Sequence, residues 1–596
     1  MNNIVGLKKI NESLIQLSCS DNKILRRISK HLEVFIDGAQ YSPRYQQGIW
    51  DGKISFLDRR SMCIPFGLWL KVVTFLVENQ IQYVLTGTSI QELTSNPIFS
   101  DEFISEFEDK VMMKSMPFKI RDYQMGALRA ALKNKKSISL LCTGAGKSVL
   151  IHYTMQLLHR TGEAKKIMVV VPNISLVGQL YSNIKDDYGY AKIVDDSYLL
   201  YGETSKEDKR AIESDHGIDR PFLITTYQSI LRKNDAWFEQ FDALLIDEVH
   251  GVSSSGKSLQ GISKKCFNAK YKLGYTGTLG ENDADIMTTL GYVGPVTYTV
   301  KNKQLIDLGF LSSIDIKNYI VRYGEEFTAE TKGLSYGAEV SKIEGNPDRN
   351  KVFKFIIDDL PAKENVLILA KHIKHMNEIE EYLNDEYEDK YIIHRIDGSV
   401  AGSTREEIRE IVIANSGKCV AFDFEKFQVE INEISKITME DGEIKLARDI
   451  TMDDKINTKV LQKQYKHLIK NKLTGVKIKL IDITKIDNSH KDHLVLSNFA
   501  TFAVGVNIPN LHHIIFGASY KGRIKVLQAL GRGLRKALGK FRMTLHDVCD
   551  DTSDIQGTGR RVNKNALRKH YEHRLEHYKG EEFEWEEIDV NVDDLS

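Results

Sequence analysis

The sequence lacks the marks of several large classes. Its six cysteines (Cys19, Cys63, Cys142, Cys266, Cys419 and Cys549) form no CxxC pairs. That argues against a structural zinc site and a secreted disulfide scaffold, and for a reducing compartment. It also lacks a charge of one sign: 82 basic residues balance 82 acidic ones, so any nucleic-acid surface must be local. No apolar run approaches membrane-spanning length, and Met1-Asn-Asn-Ile carries no signal-peptide pattern. The expectation is a soluble, cytoplasmic protein with no membrane partner. What remains is ordinary for a globular chain: 596 residues, 42% hydrophobic and 28% charged, enough for about three to five domains.

The chain is organised around Leu141 to Leu150, LCTGAGKSVL. An apolar strand, Ser137 to Leu141, precedes it, and a helix over Ser148 to His159 follows. A turn of this kind leaves backbone N–H groups pointing one way, at the positive end of a helix, which makes a nest for phosphate oxygens. Gly144 and Gly146 allow close approach because neither has a Cβ. Thr143, Ala145 and the two glycines would wrap the phosphates, Lys147 would reach the β- and γ-phosphates, and the Ser148 hydroxyl would ligate Mg²⁺. Leu141 stands where the longer phosphate-loop pattern has a small residue. Just upstream, Arg121 and Gln124 of Phe118 to Gln124 would recognise an adenine edge, since the amide both donates and accepts.

The second half of the signature is Phe241 to His250, FDALLIDEVH. An apolar strand ends in two adjacent carboxylates, a costly arrangement unless a cation and phosphates join it. Asp247 would hold Mg²⁺ through water, and Glu248 would orient and deprotonate the attacking water. Loop plus carboxylates make an ATP- and Mg²⁺-dependent hydrolase. His250, with Thr276 and Thr278 of Leu273 to Leu279, would couple hydrolysis to movement.

Parallel strands buried on both faces read as continuous apolar runs. Lys166 to Pro172 is one, followed by a helix from Asn173; Leu223 to Ser229 repeats the design with Thr226 and Tyr227 at its end. These positions either touch ligand at the strand ends, where α/β sheets place it, or simply cap helices. Val300 to Leu311 reads as a helix turning at Gly309, and 312–350 as a polar bridge. A second α/β lobe starts near Lys351, with strands Asn365 to Ala370 and Tyr391 to Ile396, helices Ile373 to Leu383 and Thr404 to Ile413, and Asn498 to Pro509 and Leu511 to Phe516 completing a sheet. Arg532 and Arg535 of QALGRGLR share one helical face and could serve as arginine fingers for a γ-phosphate.

The first 112 residues read as a separate α/β module, with helical spacing over Asn22 to Phe35. Between Gln40 and Leu57, Arg44, Tyr45, Trp50 and Lys53 set cations beside flat rings. That mixture either grips a nucleic-acid strand or packs Trp50 and Tyr45 into a small hairpin core.

Taken in order, RDYQ, TGAGKS, VVVPNISLVGQL, ITTYQSI, IDEVH, YTGT, IDGS, TFAVGVNIP and QALGRGLR resemble a superfamily 2 helicase. PRYQQGIWDGKISFLD and HDVCDD…KHYEHRLEHY resemble the UvsW recombination helicases of tailed phages. The resemblance implies two RecA-like parallel-sheet motor lobes closing on ATP, a small N-terminal nucleic-acid-binding α/β domain, and ATP-dependent unwinding and branch migration. Its implied substrates are Holliday junctions, stalled forks, D-loops and R-loops, with an RNA–DNA hybrid among the partners. It adds Gly505 to the nucleotide site and Gln528 to the coupling set. It implies DNA contacts at Asn173, Thr226, Tyr227, Asp397, Gly398 and Thr501, mostly to the phosphate backbone and so weakly selective for sequence. It also implies the host cytoplasm if the chain is phage-encoded; a monomer is the expected state.

The domain reading is 1–112 N-terminal module, 113–305 first motor lobe, 306–350 bridge, 351–545 second lobe, and 546–596 a helical extension. One departure interrupts it. Where the family has one strand and a short loop, about seventy extra residues intervene. Lys418 to Phe422 begins like the strand and Leu494 to Asn498 resumes it. Residues 422–493 read as a largely β insertion with a basic helix over Lys459 to Lys472. The insertion is a tolerated surface addition, an added DNA grip, or a reduced splicing element starting at Cys419. Against splicing, Asn498 is preceded by Ser497 and followed by Phe499. Two rivals to the unwinding motor stay open: a duplex translocase that separates no strands, and an ATP-gated DNA-binding scaffold impaired by the insertion.

Overall fold

A computed structural model describes residues 4–87, 98–112, 116, 118–202, 204–213, 218–361, 364–414, 420–421, 436–438, 444–446, 479–480, 492–505, 508, 510–537, 540, 542–556 and 560–595. The chain divides into two compact units, Met1–Val300 and Lys301–Ser596.

The first unit holds the N-terminal module and the first α/β lobe. In the module, strands Val5–Lys9, Leu14–Ser18, Cys63–Pro65 and Tyr83–Thr86 form one sheet. Helices Asn22–His31 and Trp69–Glu78 pack Ile28, Val72 and Leu76 against it. The first helix stops at His31, earlier than its periodicity predicts. Glu33–Phe35 then pairs antiparallel with Lys53–Ser55.

The lobe is a parallel sheet of seven strands, in the order Val296–Val300, Lys136–Leu141, Tyr271–Thr276, Ala243–Asp247, Ile167–Val171, Phe222–Thr226 and Ser197–Leu200. Ile167–Val171 and Phe222–Thr226 are buried at every position, which is why both read as unbroken apolar runs. The helix Lys147–Arg160 buries ten of its fourteen residues, so its sequence shows little amphipathic stripe.

Module and lobe are joined by buried polar contacts. Lys136 pairs with Glu12, and Lys272 Nζ donates to Ser13 Oγ at 2.6 Å and to the Ser263 carbonyl at 2.7 Å. Burial pushes the Lys272 ammonium down to about 7 and Lys136 to about 8, the latter against the pull of Glu12. The backbones also touch: a Cβ on Gly67 would lie 1.9 Å from the Leu290 carbonyl.

The second unit is another seven-stranded parallel sheet, in the order Tyr391–Ile396, Asp492–Asn498, Asn365–Ala370, Leu511–Phe516, Arg542–Asp550, Ser313–Arg322 and Trp585–Asn591. Several expectations change here. Residues 306–350 are not a bridge: Ser313–Arg322 is an interior strand, paired on both sides. Residues 546–596 are not simply helical: the helix Ala566–Gly580 is followed by the edge strand Trp585–Asn591. Val300 ends a strand, and the helix covers only Asn302–Asp307. Asn498 to Pro509 is not a strand beyond Asn498, since Phe499–Gly505 is helical.

Val420–Ala421 does not begin the sheet strand. It pairs antiparallel with Lys479–Leu480 in a ladder of its own, and the sheet strand starts at Asp492. Lys436–Thr438 and Ile444–Leu446 form another two-stranded ladder. Cys419, the basic helix over Lys459 to Lys472 and most of the insertion lie outside the described residues.

The strand Arg542–Asp550 anchors the unit through two fully buried ion pairs. Arg574 donates from Nε and NH2 to the two oxygens of Asp547, each at 2.8 Å, and Tyr578 OH adds 2.8 Å. Arg349 donates to both oxygens of Asp550 at 2.8 and 2.9 Å. Removing one partner of such a pair strands a buried charge, at a cost of about 3–5 kcal/mol. Arg574→Ala should therefore destabilise the second unit by that order in urea unfolding.

Candidate nucleotide and nucleic-acid site

The phosphate loop forms where the strand Lys136–Leu141 hands over to the helix Lys147–Arg160. Gly144 and Gly146 take φ of 87° and 79°, a backbone that side chains other than glycine rarely adopt. A second constraint acts at Gly146: a Cβ there would meet Gln124 Nε2 at 2.2 Å. Gln124 is buried, and both ends of its amide are in use. Nε2 donates to the Ala145 carbonyl at 2.9 Å and Oε1 accepts from the Arg121 backbone at 2.9 Å. Tyr123 OH donates to the same Ala145 carbonyl at 3.2 Å and accepts from Arg121 NH1 at 3.1 Å. Gln124 is thus a buttress of the loop here rather than an open adenine reader. Tyr123 is a partner the sequence reasoning missed, although it sits between the two residues singled out.

The carboxylates close the other side. The strand Ala243–Asp247 ends at Asp247, and Glu248 turns into the left-handed region at φ 50°, ψ 54°. That kink sends the two side chains apart. Lys147 Nζ lies 3.3 Å from Glu248 Oε1. Thr276 Oγ1 lies 3.1 Å from Glu248 Oε2, 2.9 Å from His250 Nδ1 and 2.9 Å from the Thr278 carbonyl. The Thr278 amide donates back to Thr276 Oγ1 at 3.4 Å. Lys147, Glu248, His250, Thr276 and Thr278, from three separate motifs, form one connected network.

Its electrostatics divide the carboxylates. Burial and then the neighbouring Glu248 charge push Asp247 well above the usual carboxylate range. Burial works on Glu248 in the same direction, but Lys147 and His250 more than offset it and hold the group low. Lys147 is raised despite its burial by Glu248 and Asp247. A carboxyl whose ionisation is opposed by burial and then by a like charge is a group whose charged form a divalent cation would favour. Among the described residues no three His, Cys, Asp or Glu side chains gather as a metal site. Ser148 and Asp247 each carry a hard oxygen of the kind Mg²⁺ prefers.

The remaining predicted contacts divide by burial. Asn173 caps the helix Ile174–Ser182, accepting from Leu176 N at 3.0 Å, and its buried Nδ2 meets no acceptor among the described residues. Thr226 is buried against Ser229 at 3.0 Å and Tyr227 packs on the lobe core, so their side chains are structural. Asp397 is also buried. It accepts from Arg395 Nε at 2.7 Å and from the Ser399 amide and hydroxyl at 2.8 and 2.5 Å. Burial alone would raise it, but Ser399 and Arg395 bring it down to about 2. Its role is to shape a loop that leaves Gly398 exposed. Thr501 stands in the first turn of Phe499–Gly505, its amide capped by Asn498 Oδ1 at 2.8 Å; an Asn ahead of a helical run was a readable cap signal. Gly505 is that helix's last residue.

Arg532 and Arg535 do not share a helical face. The helix Arg523–Gly533 carries Gln528 and Arg532, and Arg535 lies beyond its C-cap, Leu534. Arg532 lies over the Phe502 ring at 5.9 Å. In the N-terminal module Tyr45 packs edge-on against Phe35, ring centres 5.9 Å apart, and Trp50 is half-buried, as the hairpin reading asks, but the surface around them is open. Tyr41 is 78% and Ile49 63% exposed, and Arg44 and Tyr45 are exposed as well. Trp50 latches its own turn, donating from Nε1 to the Lys53 carbonyl at 2.8 Å.

Comparison with known proteins shows what the chain is similar to. A family model described as the res subunit of type III restriction enzymes matches residues 117–281, and one for the N-terminal region of the DNA helicase UvsW matches 6–86. The ATP-dependent DNA helicase UvsW of Enterobacteria phage T4 is 25% identical over 566 residues, 93% of each chain. The DNA 3'-5' translocase XPB2 of Sulfurisphaera tokodaii is 25% identical over 316 residues, 50% of this chain and 66% of that one. The crystal structure of T4 UvsW aligns over 99% of this chain and all of that one, with a TM-score of 0.44 and 23% identity.

Thr276→Val tests the network. It removes the hydroxyl shared by Glu248, His250 and Thr278 while keeping the volume. A hydrogen bond to a charged group is worth about 1.5–3 kcal/mol, so nucleotide turnover should fall roughly 10- to 100-fold. Nucleotide affinity, read by fluorescent-nucleotide titration, should stay within about threefold, because the phosphate loop is untouched.

Proposed function

We propose that this chain, a superfamily 2 helicase similar to UvsW, couples ATP hydrolysis to the unwinding and branch migration of branched DNA such as Holliday junctions, stalled forks, D-loops and R-loops. The observation that carries the reading is the network in which the phosphate-loop lysine and the threonine of a third motif hold one glutamate, next in sequence to a buried aspartate. The similarity to the phage helicase, which runs through both units and the N-terminal module, supports DNA as the polymer. Among the described residues no helix is long and apolar enough to cross a membrane.

In this reading the loop amides and Lys147 bind the nucleotide phosphates. Ser148 and Asp247 would hold Mg²⁺, which would supply charge neutralisation for phosphoryl transfer. Phosphate oxygens draw Lys147 off Glu248, and losing that neighbour raises the glutamate's proton affinity as it takes a proton from water. Thr276 and His250 register the change because both touch Glu248. Arg532 and Arg535 are assigned to the γ-phosphate charge, with Gln528 and Gly505 beside them. Arg44, Lys53, Asn173, Gly398 and Thr501 are assigned to DNA.

A second reading, a duplex translocase that separates no strands, is favoured by the restriction-enzyme family match and by the similarity to XPB2. Strand-displacement and triplex-displacement assays on the same preparation divide the two.

The direct test is ATP hydrolysis by the full chain with and without a synthetic four-way junction. We expect junction-dependent stimulation of about tenfold or more and its complete loss in Lys147→Ala. Normal turnover in that variant sinks the site assignment. Basal hydrolysis that DNA does not stimulate sinks the motor.

A further inference from the structure

In the second unit every sheet strand is parallel to its neighbours, so the residues after Ala370, Ile396, Asn498 and Phe516 emerge along one edge. The loops of Gly398 and Thr501 are there. So is a group of side chains that no motif covers. Lys371 follows the strand Asn365–Ala370. Its Nζ donates to Tyr336 OH at 2.8 Å and lies 5.0 Å from the Tyr336 ring centre and 5.9 Å from that of Tyr520. Lys525 Nζ donates to Tyr520 OH at 2.7 Å and lies 5.0 Å from the same ring. Lys521 is exposed between them in sequence. The Tyr520 ring packs at 4.7 Å on Phe499, which opens the helix of Thr501.

Two features mark this as a binding surface rather than a solvated charge run. First, the charge is uncompensated. Lys371, Lys521 and Lys525 meet no carboxylate among the described residues, and the acids nearby are engaged elsewhere: Glu344 with His372 and Glu576 with His573. The local potential shows on His570, which lies 3.3 Å from Ser519 Oγ and 5.1 Å from the Tyr336 ring. Burial, then Lys521, Arg574 and Lys371, bring it down to about 4. Second, a flat ring stays open beside the cations: Tyr336 is 40% exposed. The C-terminal helix Ala566–Gly580 fixes the arrangement, with Arg574 NH1 donating to the Tyr520 carbonyl at 2.9 Å and His577 Nε2 lying 2.9 Å from the Lys521 carbonyl.

We infer that Lys371, Lys521 and Lys525 grip successive phosphates of an unpaired DNA strand while Tyr336 stacks on one of its bases. Cations that track a backbone beside an open aromatic face are what sequence-tolerant single-strand binding uses. The site continues the line of Gly398 and Thr501, so the inference rests on the DNA-motor reading and extends it to the C-terminal segment, which builds the site without touching ATP chemistry.

The test compares the full-length protein with Lys371→Ala/Lys521→Ala/Lys525→Ala and with Tyr336→Ala and Tyr336→Phe, using fluorescence anisotropy on a labelled oligothymidine and on a blunt duplex. Each single-strand phosphate contact contributes about 0.7 to the slope of log affinity against log salt, so the triple variant should flatten that slope by about 2. Tyr336→Ala should weaken oligothymidine binding about fivefold or more while Tyr336→Phe keeps most of it, as stacking requires. Thermal unfolding unchanged within about 2 °C shows that the variants are folded. Wild-type affinity and salt slope in the triple variant overturn the site and leave the motor reading standing. Loss on duplex but not on oligothymidine overturns the single-strand assignment. An intact protein that binds neither DNA removes both.

Discussion

Two adjacent carboxylates at the end of a buried strand are the constraint on which the first motor lobe depends. Asp247 and Glu248 cannot both carry charge cheaply in that position. The fold resolves this by separating them with a left-handed turn at Glu248 and giving the glutamate a lysine, a threonine and a histidine. Each partner arrives from a different strand end: Lys147 after Lys136–Leu141, His250 after Ala243–Asp247, and Thr276 from the end of Tyr271–Thr276. Those three strands are neighbours in the sheet. The sheet order, with the strand of Tyr271–Thr276 between the other two, is thus what makes the network possible. Asp247, left with few compensating partners, is the group that gains most from a cation.

This centre was legible from sequence because its parts are local. A glycine turn before a helix and an apolar run ending in two acids each carry their geometry in a few residues. Apolar strands were equally readable: Asn365–Ala370, Leu511–Phe516 and the edge strand Tyr391–Ile396 begin and end where the apolar runs do. What was missed depends on distant partners. Ser313–Arg322 looks like a polar bridge because its first half is only partly buried. It becomes a strand through pairing with Arg542–Asp550, more than two hundred residues later. Trp585–Asn591 is an edge strand exposed along most of its length, with no pattern to set it apart from a loop. The Phe499–Gly505 error is of the opposite kind: an apolar, aromatic-rich segment with strand propensity folds as a helix because Asn498 caps it. Arg535 fell off the predicted helical face because the helix ends at Gly533, where a Cβ would press on Ile514 at 2.5 Å.

The N-terminal module makes a different use of buried charge. Lys272 and Lys136 lose hydration where module and lobe meet, and their pKa values fall accordingly. Apolar residues would have sealed such a seam at lower cost. Lysines reaching Glu12 and Ser13 instead fix the module in one register on the sheet edge. The exposed Tyr41, Arg44, Tyr45 and Ile49 are thereby held on a rigid mount. A motor needs this if a module that grips DNA is to follow the lobe that binds ATP, because force passes only through contacts that do not slide.

The insertion bears on whether the motor works at all, and topology gives an argument. Residues 422–491 precede the strand Asp492–Asn498, so the chain re-enters the sheet at that strand's amino-terminal end. In a parallel sheet the ligand loops leave from the carboxy-terminal ends; here they are the turns after Ile396, Asn498 and Ala370. The strand itself is fully integrated. Asp492 to Ser497 pair in register with Tyr391 to Ile396 on one side, and Leu494 to Asn498 with Val366 to Ala370 on the other. A strand bracketed in this way has its register specified by burial on both faces, because a one-residue slip would turn every core side chain outward. An addition at the opposite edge can lengthen loop closure at small entropic cost without moving Asn498, the cap of the Thr501 helix. The pairing of Asp492–Asn498 on both sides thus holds Asn498, the cap of the Thr501 helix, in register.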